Sequence, residues 1–251
     1  MSYAKMGERL SVNKGKKRLV RWGNENYSCF AIKTKVVSRD DRLADIIRTY
    51  AQPCVEEGDV LFISEKMVAC AQGRAIPLSA IQPCFFARFL SRFVTKSKVG
   101  IGLSMPETMQ CAIDECGTFR ILAAAVAGMA GRLIGRKGWF YRVAGYRAAC
   151  IDGPCDYTIP PYNRYVVPAP LAPDKTATAV SRLLGGITVL IVDANDIGVE
   201  ILGKSHNIDA DKVRGLLRQN PLGQSSESTP MGILRPAAAW RKTLQPPLRT
   251  A

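Results

Sequence analysis

Two apolar runs that end on aspartate constrain this chain more than any other feature. The first, Val143–Asp152, reads VAGYRAACID and is followed by Gly153 and Pro154. The second, Ile187–Asp193, reads ITVLIVD and is followed by Ala194 and Asn195. Apolar, β-branched runs bounded by turn residues predict buried strands. A carboxylate at the end of such a strand is delivered to the rim of the core, where ligands bind in many α/β folds. A polar loop, Gly223–Pro230 (GQSSESTP), follows downstream. Two readings stay open. Two rim carboxylates can share a divalent cation, and Mg²⁺ prefers a few carboxylates with phosphate oxygens and water, which points to metal–nucleotide chemistry. A strand-end Asp can also do no more than cap the next turn.

The chain is long enough, at 251 residues, for one large domain or two small ones. Its first residues carry no apolar core of a secretory signal, so the expected location is cytoplasmic. Ile121–Gly131, the longest apolar run, is too short to span a bilayer and reads as a small-residue helix packed inside a core. The net charge of +14 divides unevenly: residues 1–21 hold seven Lys or Arg and one Glu, and residues 236–251 hold three basic residues and no acid. Both ends read as flexible basic tails around a body at 22–235, able to touch nucleic acid only non-specifically. Within the body, Arg132, Arg136, Lys137, Arg142 and Arg147 form either an anion-binding face or an exposed helix end. Eight cysteines with no CxxC pair read as free thiols packed as small hydrophobes, and the lone His206 as a surface residue.

The pattern predicts a strand over Tyr27–Val37, a helix capped by Asp40 or Asp41 running to Gln52, and a strand at Val60–Ser64 that continues extended through Cys70. Helices follow over Pro83–Lys96, where Phe85, Phe86, Phe89, Leu90, Phe93 and Val94 make a wide apolar stripe read as core, and from Pro106 to Gly117. Pro-rich residues 157–170 are the expected internal boundary. A helix capped by Asp174, a helix over Ile208–Gln219 capped by Asp209 and a short strand at Met231–Leu234 complete the body. Strands and helices mix without a βαβ rhythm, which favours α+β. Neither a P-loop nor a G-x-G-x-x-G signature is present.

Four segments, VLFISEKMVACAQGRAIP, VAGYRAACIDGP, VLIVDANDIG and NPLGQSSESTPMGILRP, in this order and spacing, resemble the γ-glutamyl ligase of the deazaflavin coenzyme F-420. The resemblance covers Ala31 to Arg235. It implies an α+β fold with a mixed sheet and two intertwined subdomains, assembled as a homodimer. It also implies a ligase that uses GTP and Mg²⁺ or Mn²⁺, with K⁺ open as a further cation, to join L-glutamate to a carboxylate acceptor through an acyl phosphate. Carried over by position, Asp152, Asp193 and Gln224 are implied metal ligands. Ser225, Ser226, Glu227 and Thr229 lie in the implied nucleotide loop, Glu65 and Lys66 lie near the phosphates, and Lys66 or Arg74 would stabilise transferred charge. The chain departs from the family pattern at Ala194, where a ligating Thr is usual, at Cys70, where a Lys is usual, and at Cys155, where an Asn is usual. Asn195 or Asp196 could replace the lost ligand. Relatives with folate-like acceptors, a metal-dependent phosphohydrolase and a non-catalytic anion- or RNA-binding protein are the alternatives.

Overall fold

The structure is a computed structural model, and it describes residues 10–94, 102–136, 138–195, 198–223 and 226–237. In chain order the elements are β1 (Leu10–Ser11), β2 (Leu19–Trp22), β3 (Glu25–Ile32), α1 (Leu43–Ile46), β4 (Val60–Ser64), α2 (Glu65–Ala71), β5 (Ile76–Pro77), α3 (Phe85–Ser91), α4 (Pro106–Cys116), α5 (Thr118–Leu133), α6 (Trp139–Ala144), α7 (Tyr146–Ala149), β6 (Tyr165–Val166), α8 (Pro173–Leu183), β7 (Thr188–Ala194), β8 (Val199–Lys204), α9 (Ala210–Leu217) and β9 (Met231–Pro236). The chain divides into two compact units: residues 1–71 with 172–251, and residues 72–171.

The first unit is built on a seven-stranded sheet in the order β1-β3-β9-β4-β7-β8, with β2 also paired to β3. It is mixed: β4 and β7 run parallel, whereas β9 is antiparallel to both β3 and β4. Its central strands are buried on both faces, so they read as unbroken apolar runs rather than alternating ones. Leu61, Ile63, Val189, Ile191, Met231 and Ile233 pack on one face with Ile46, Ile47 and the α8 residues Ala177 and Val180. Phe62, Leu190, Val192 and Leu234 pack on the other with Val213, Leu216 and Leu217 of α9. Gly232 stands opposite Phe62 in the β4–β9 register. A Cβ at Gly232 would run into the Phe62 ring and the Phe30 carbonyl, so only glycine lets these strands close.

The basic N-terminal stretch is not a tail throughout. Leu10–Ser11 and Leu19–Trp22 join the sheet, and β2 turns into β3 through Gly23-Asn24, with Gly23 at φ 57°. A two-residue loop with glycine first suits a hairpin. Trp22 then lies flat on Gly215 of α9, where any side chain would collide with its ring. Residues 1–9 and 238–251 lie outside the described residues.

The second unit packs α3–α7 and the β5–β6 pair around Leu103, Met109, Ala112, Ile121, Ala124 and Ile151. Its first and last residues clasp: the Gln72 side chain donates to the Leu171 carbonyl (3.0 Å) and accepts from the Leu171 N–H (2.8 Å). Two expectations fail here. The run Val143–Ala149 is helical, as α6 and α7 broken at Gly145 (φ 89°), so Cys150 follows a helix, and of the expected strand only Asp152 pairs, as an isolated bridge to Val167. The buried residues Ala144, Ala148 and Ile151 recur at helical spacing, and alanine favours helix over strand. The phenylalanine stripe is not core. Phe85, Phe86, Phe89 and Phe93 are 43–74% exposed, because α3 buries its small-residue side, Ala87 and Ser91, together with Leu90. The small-residue helix α5 likewise buries Ile121, Ala124 and Gly131 while exposing Phe119 (89%), Val126, Met129 and Leu133 (89%).

Smaller corrections concern caps. The expected helix does run to a C-cap at Gln52, as α1 continued by a π-helical turn at Ile47–Ala51, but its N-cap is Arg42, while Asp41 pairs with Lys35 (2.5 Å). Lys35 pulls the Asp41 carboxyl below its ordinary range. Glu65–Cys70 is not extended but forms most of α2. Asp174 lies inside the first turn of α8 and accepts from the Lys204 N–H instead (2.9 Å). Asp209 does cap α9, accepting from Asp211 N and Lys212 N. None of the eight cysteines is in a disulfide, and burial pushes Cys29 and Cys111 up to about 12. Among the described residues no single helix is long and apolar enough to cross a membrane.

One buried ion cluster ties the sheet to the turn before β4. Arg235, 3% exposed, grips Asp59 with two nitrogens (2.9 and 2.7 Å), Glu56 with a third contact (2.6 Å) and the Cys54 carbonyl (2.8 Å). Removing one partner of such a pair strands a buried charge, which costs about 3–5 kcal/mol. Arg235→Met should therefore lose about that much in urea unfolding, and Arg235→Met with Asp59→Leu should recover most of it. Equal stability of Arg235→Met and the parent would show that the cluster does not hold the fold.

Candidate functional site

Parallel pairing of β4 with β7 sets Ser64 opposite Val192. The next residue on each strand is an acid, Glu65 and Asp193. The chain turns helical at Glu65, the first residue of α2, which places a carboxylate at the positive end of that helix. Glu65 is 5% exposed and Asp193 is half-buried. Their carboxylate oxygens come within 4.8 Å of each other. Two oxygens at that separation can both touch one divalent cation, since hard cations hold oxygens at about 2.0–2.6 Å. The donor set, two carboxylates at a strand rim, fits Mg²⁺ or Mn²⁺ chemistry.

Asn195 lies beside this pair. Its amide nitrogen lies 3.5 Å from Asp193 Oδ1, and its Oδ1 accepts from the Gly198 N–H (3.1 Å). Asn195 therefore closes the turn after β7 and aims the Asp193 carboxylate. Ala194, the end of β7, offers no side-chain oxygen. Asp196 lies outside the described residues.

Lys66 is half-buried on α2, and Cys70, four residues on, shares its helix face and is buried.

The polar loop belongs to the same unit. Gln224 and Ser225 lie outside the described residues; Ser226 is exposed in a turn. Glu227 folds back so that its carboxylate covers Gly223, leaving no room there for a Cβ. Thr229 is buried, and its hydroxyl donates to the Leu222 carbonyl (2.8 Å) while accepting from the Asn13 amide (2.8 Å). Ser228 donates to the Thr34 carbonyl (2.8 Å), and the Thr34 N–H donates back to the Ser228 carbonyl (2.9 Å). The Thr229 and Ser228 hydroxyls thus hold the loop to its neighbours.

Two further candidates lie in the second unit. Asp152 pairs its backbone with Val167 in both directions (2.9 Å each) as an isolated bridge. Arg74 donates to the Ala169 carbonyl (2.6 Å) and to Glu115 (2.6 Å), and Glu115 also takes Arg147 (2.5 Å). Arg74 is committed to this brace, which sequence spacing did not reveal, because Glu115 lies 41 residues away. Of the basic stretch, Arg147 is in that brace and Arg132, Arg136 and Arg142 are exposed, while residue 137 lies outside the described residues. His206 is exposed and meets Ser205 (2.8 Å).

Glu65→Gln should remove most of the stabilisation that Mn²⁺ gives the parent. Equal Mn²⁺ shifts in both proteins, read by calorimetry, would take this pair out of metal binding.

Comparison with the curated proteins finds no match. A family model described as F420-0:Gamma-glutamyl ligase matches residues 31–199, a stretch that holds β4, α2, β7 and both strand-rim acids. That span is more than half of the 251 residues, and with the mixed sheet it settles the relationship: the chain belongs to the F420-0:gamma-glutamyl ligase family.

Proposed function

We propose that this protein is a GTP- and divalent-metal-dependent ligase that joins L-glutamate to a carboxylate acceptor. The observation that carries the reading is the Glu65–Asp193 pair, two acids brought side by side by the parallel strands. Asp193 and Glu65 would hold the cation, which supplies charge neutralisation at phosphate oxygens. Asp152 and Gln224 remain proposed metal ligands and Ser225, Ser226, Glu227 and Thr229 proposed nucleotide contacts, all on the family resemblance. Asp196 is proposed as the replacement for the oxygen missing at Ala194. Lys66 is the cation proposed to meet transferred charge, in preference to Arg74, whose guanidinium is taken up by Glu115 and Ala169.

A carboxylate is a poor acyl donor. In the proposed reaction an acceptor oxygen attacks the γ-phosphorus of GTP, the bond to the β-phosphate oxygen breaks, and GDP leaves. The glutamate amine then attacks the acyl carbon, phosphate leaves with the electron pair of the broken C–O bond, and the amine loses a proton to solvent. Positioning and electrostatics carry the rate, with no covalent intermediate on the protein.

The test is incorporation of glutamate into F420-0 or folate-type acceptors, followed by mass spectrometry with GTP and Mn²⁺. The parent should transfer glutamate, and Asp193→Asn should lose at least about 100-fold in rate while melting as the parent does. Nucleotide loss without an acceptor would favour a phosphohydrolase. Neither transfer nor hydrolysis by the parent would favour a non-catalytic anion binder. We also propose a homodimer, which the exposed apolar faces of α3 and α5 support by offering surface to bury. Light scattering at micromolar concentration should give twice the 27.4 kDa chain mass, and a monomeric mass would refute the dimer.

A further inference from the structure

We infer that Asn13 is a positioning residue for the polar loop after α9, a clamp that holds the two stems of that loop at a fixed separation. The inference rests on the reading of this loop as the nucleotide loop. Asn13 and the loop both lie beyond residues 31–199, the stretch matched to the family.

The Asn13 side-chain amide has two N–H donors, and both point at the loop. One meets the Pro221 carbonyl (2.9 Å), on the stem that enters; the other meets the Thr229 hydroxyl (2.8 Å), on the stem that leaves. The Thr229 hydroxyl passes its own proton to the Leu222 carbonyl (2.8 Å), which ties the leaving stem to the entering one. The backbone beside the clamp is anchored in turn: the Lys17 N–H donates to the Gln219 side chain (2.5 Å), and that side chain donates back to the Lys17 carbonyl (2.7 Å). Each stem also contains a non-glycine residue in the left-handed region, Asn220 at φ 49° and Ser228 at φ 57°. Such conformations persist where surrounding contacts over-determine them. A loop that must present backbone and side-chain groups to a polyphosphate gains affinity when its shape is fixed before binding.

Donation, not size, is what the geometry requires. Asn13→Asp keeps the shape and removes both donors, and it sets an oxygen against the Pro221 carbonyl. Asn13→Ala removes the side chain. Ser11→Ala is the control, because it breaks a side-chain bond of the same segment to the Ala31 carbonyl (3.3 Å) that does not touch the loop.

In the full-length protein, hydrogen exchange of residues 220–230 should speed up in both Asn13 variants and not in Ser11→Ala. Mn²⁺–GTP affinity by titration calorimetry should fall about tenfold in both Asn13 variants, as expected for two lost hydrogen bonds, and stay at the parent value in Ser11→Ala. All variants should melt within a few degrees of the parent. Unchanged exchange in Asn13→Asp, or parental GTP affinity despite faster exchange, overturns the inference. A parent that binds no GTP sinks the ligase reading instead, and exchange alone then decides whether Asn13 clamps the loop.

Discussion

Parallel pairing of β4 with β7 is the constraint on which the rest depends. Parallel neighbours cannot be joined by a hairpin and need a long crossover. Here the crossover runs from Glu65 to Ile187 and contains an entire compact unit, residues 72–171, with a core of its own. The excursion is closed at its base by the mutual bonds of Gln72 and Leu171. The same pairing fixes which residues emerge together at the strand ends. Ser64 faces Val192, so Glu65 and Asp193 come out side by side.

The acids of this fold are handled in two ways. Asp59 and Glu115 are buried or nearly so and meet arginines, which makes them braces: Asp59 with Arg235, Glu115 with Arg74 and Arg147. Glu65 and Asp193 bring their carboxylate oxygens within 4.8 Å of each other, an arrangement that shifts protonation and is found at functional sites.

The second unit spends its small residues inward. Helices α3 and α5 turn Ala87, Ser91, Ala124 and Gly131 to the core and leave Phe85, Phe89, Phe119 and Leu133 outside. Close helix packing needs small residues at the contact, so a helix with one small-residue face and one aromatic face can bury the former and present the latter. Hydrophobicity alone pointed the stripe inward; packing volume pointed it outward.

Several elements were legible in the residues. Val60–Ser64 and Ile187–Asp193 read as strands because both faces are apolar, the helix from Pro106 to Gly117 because proline opens it and glycine ends it, and the Asp209 cap because its carboxylate serves two orphan N–H groups. The α+β class followed from strands and helices that mix without a βαβ rhythm, and the family from motif order. Only the tertiary structure decided what no local pattern encodes. It made most of VAGYRAACID helical, through Ala149, since a run of alanines and apolar residues fits either period until its neighbours choose one. It put Leu10–Ser11 and Leu19–Trp22 into the sheet, because basic residues do not prevent an edge strand from pairing. It placed Glu65 beside Asp193 and Asn13 beside Thr229, across separations of 128 and 216 residues, because strand register and loop anchoring are properties of the folded whole rather than of any segment.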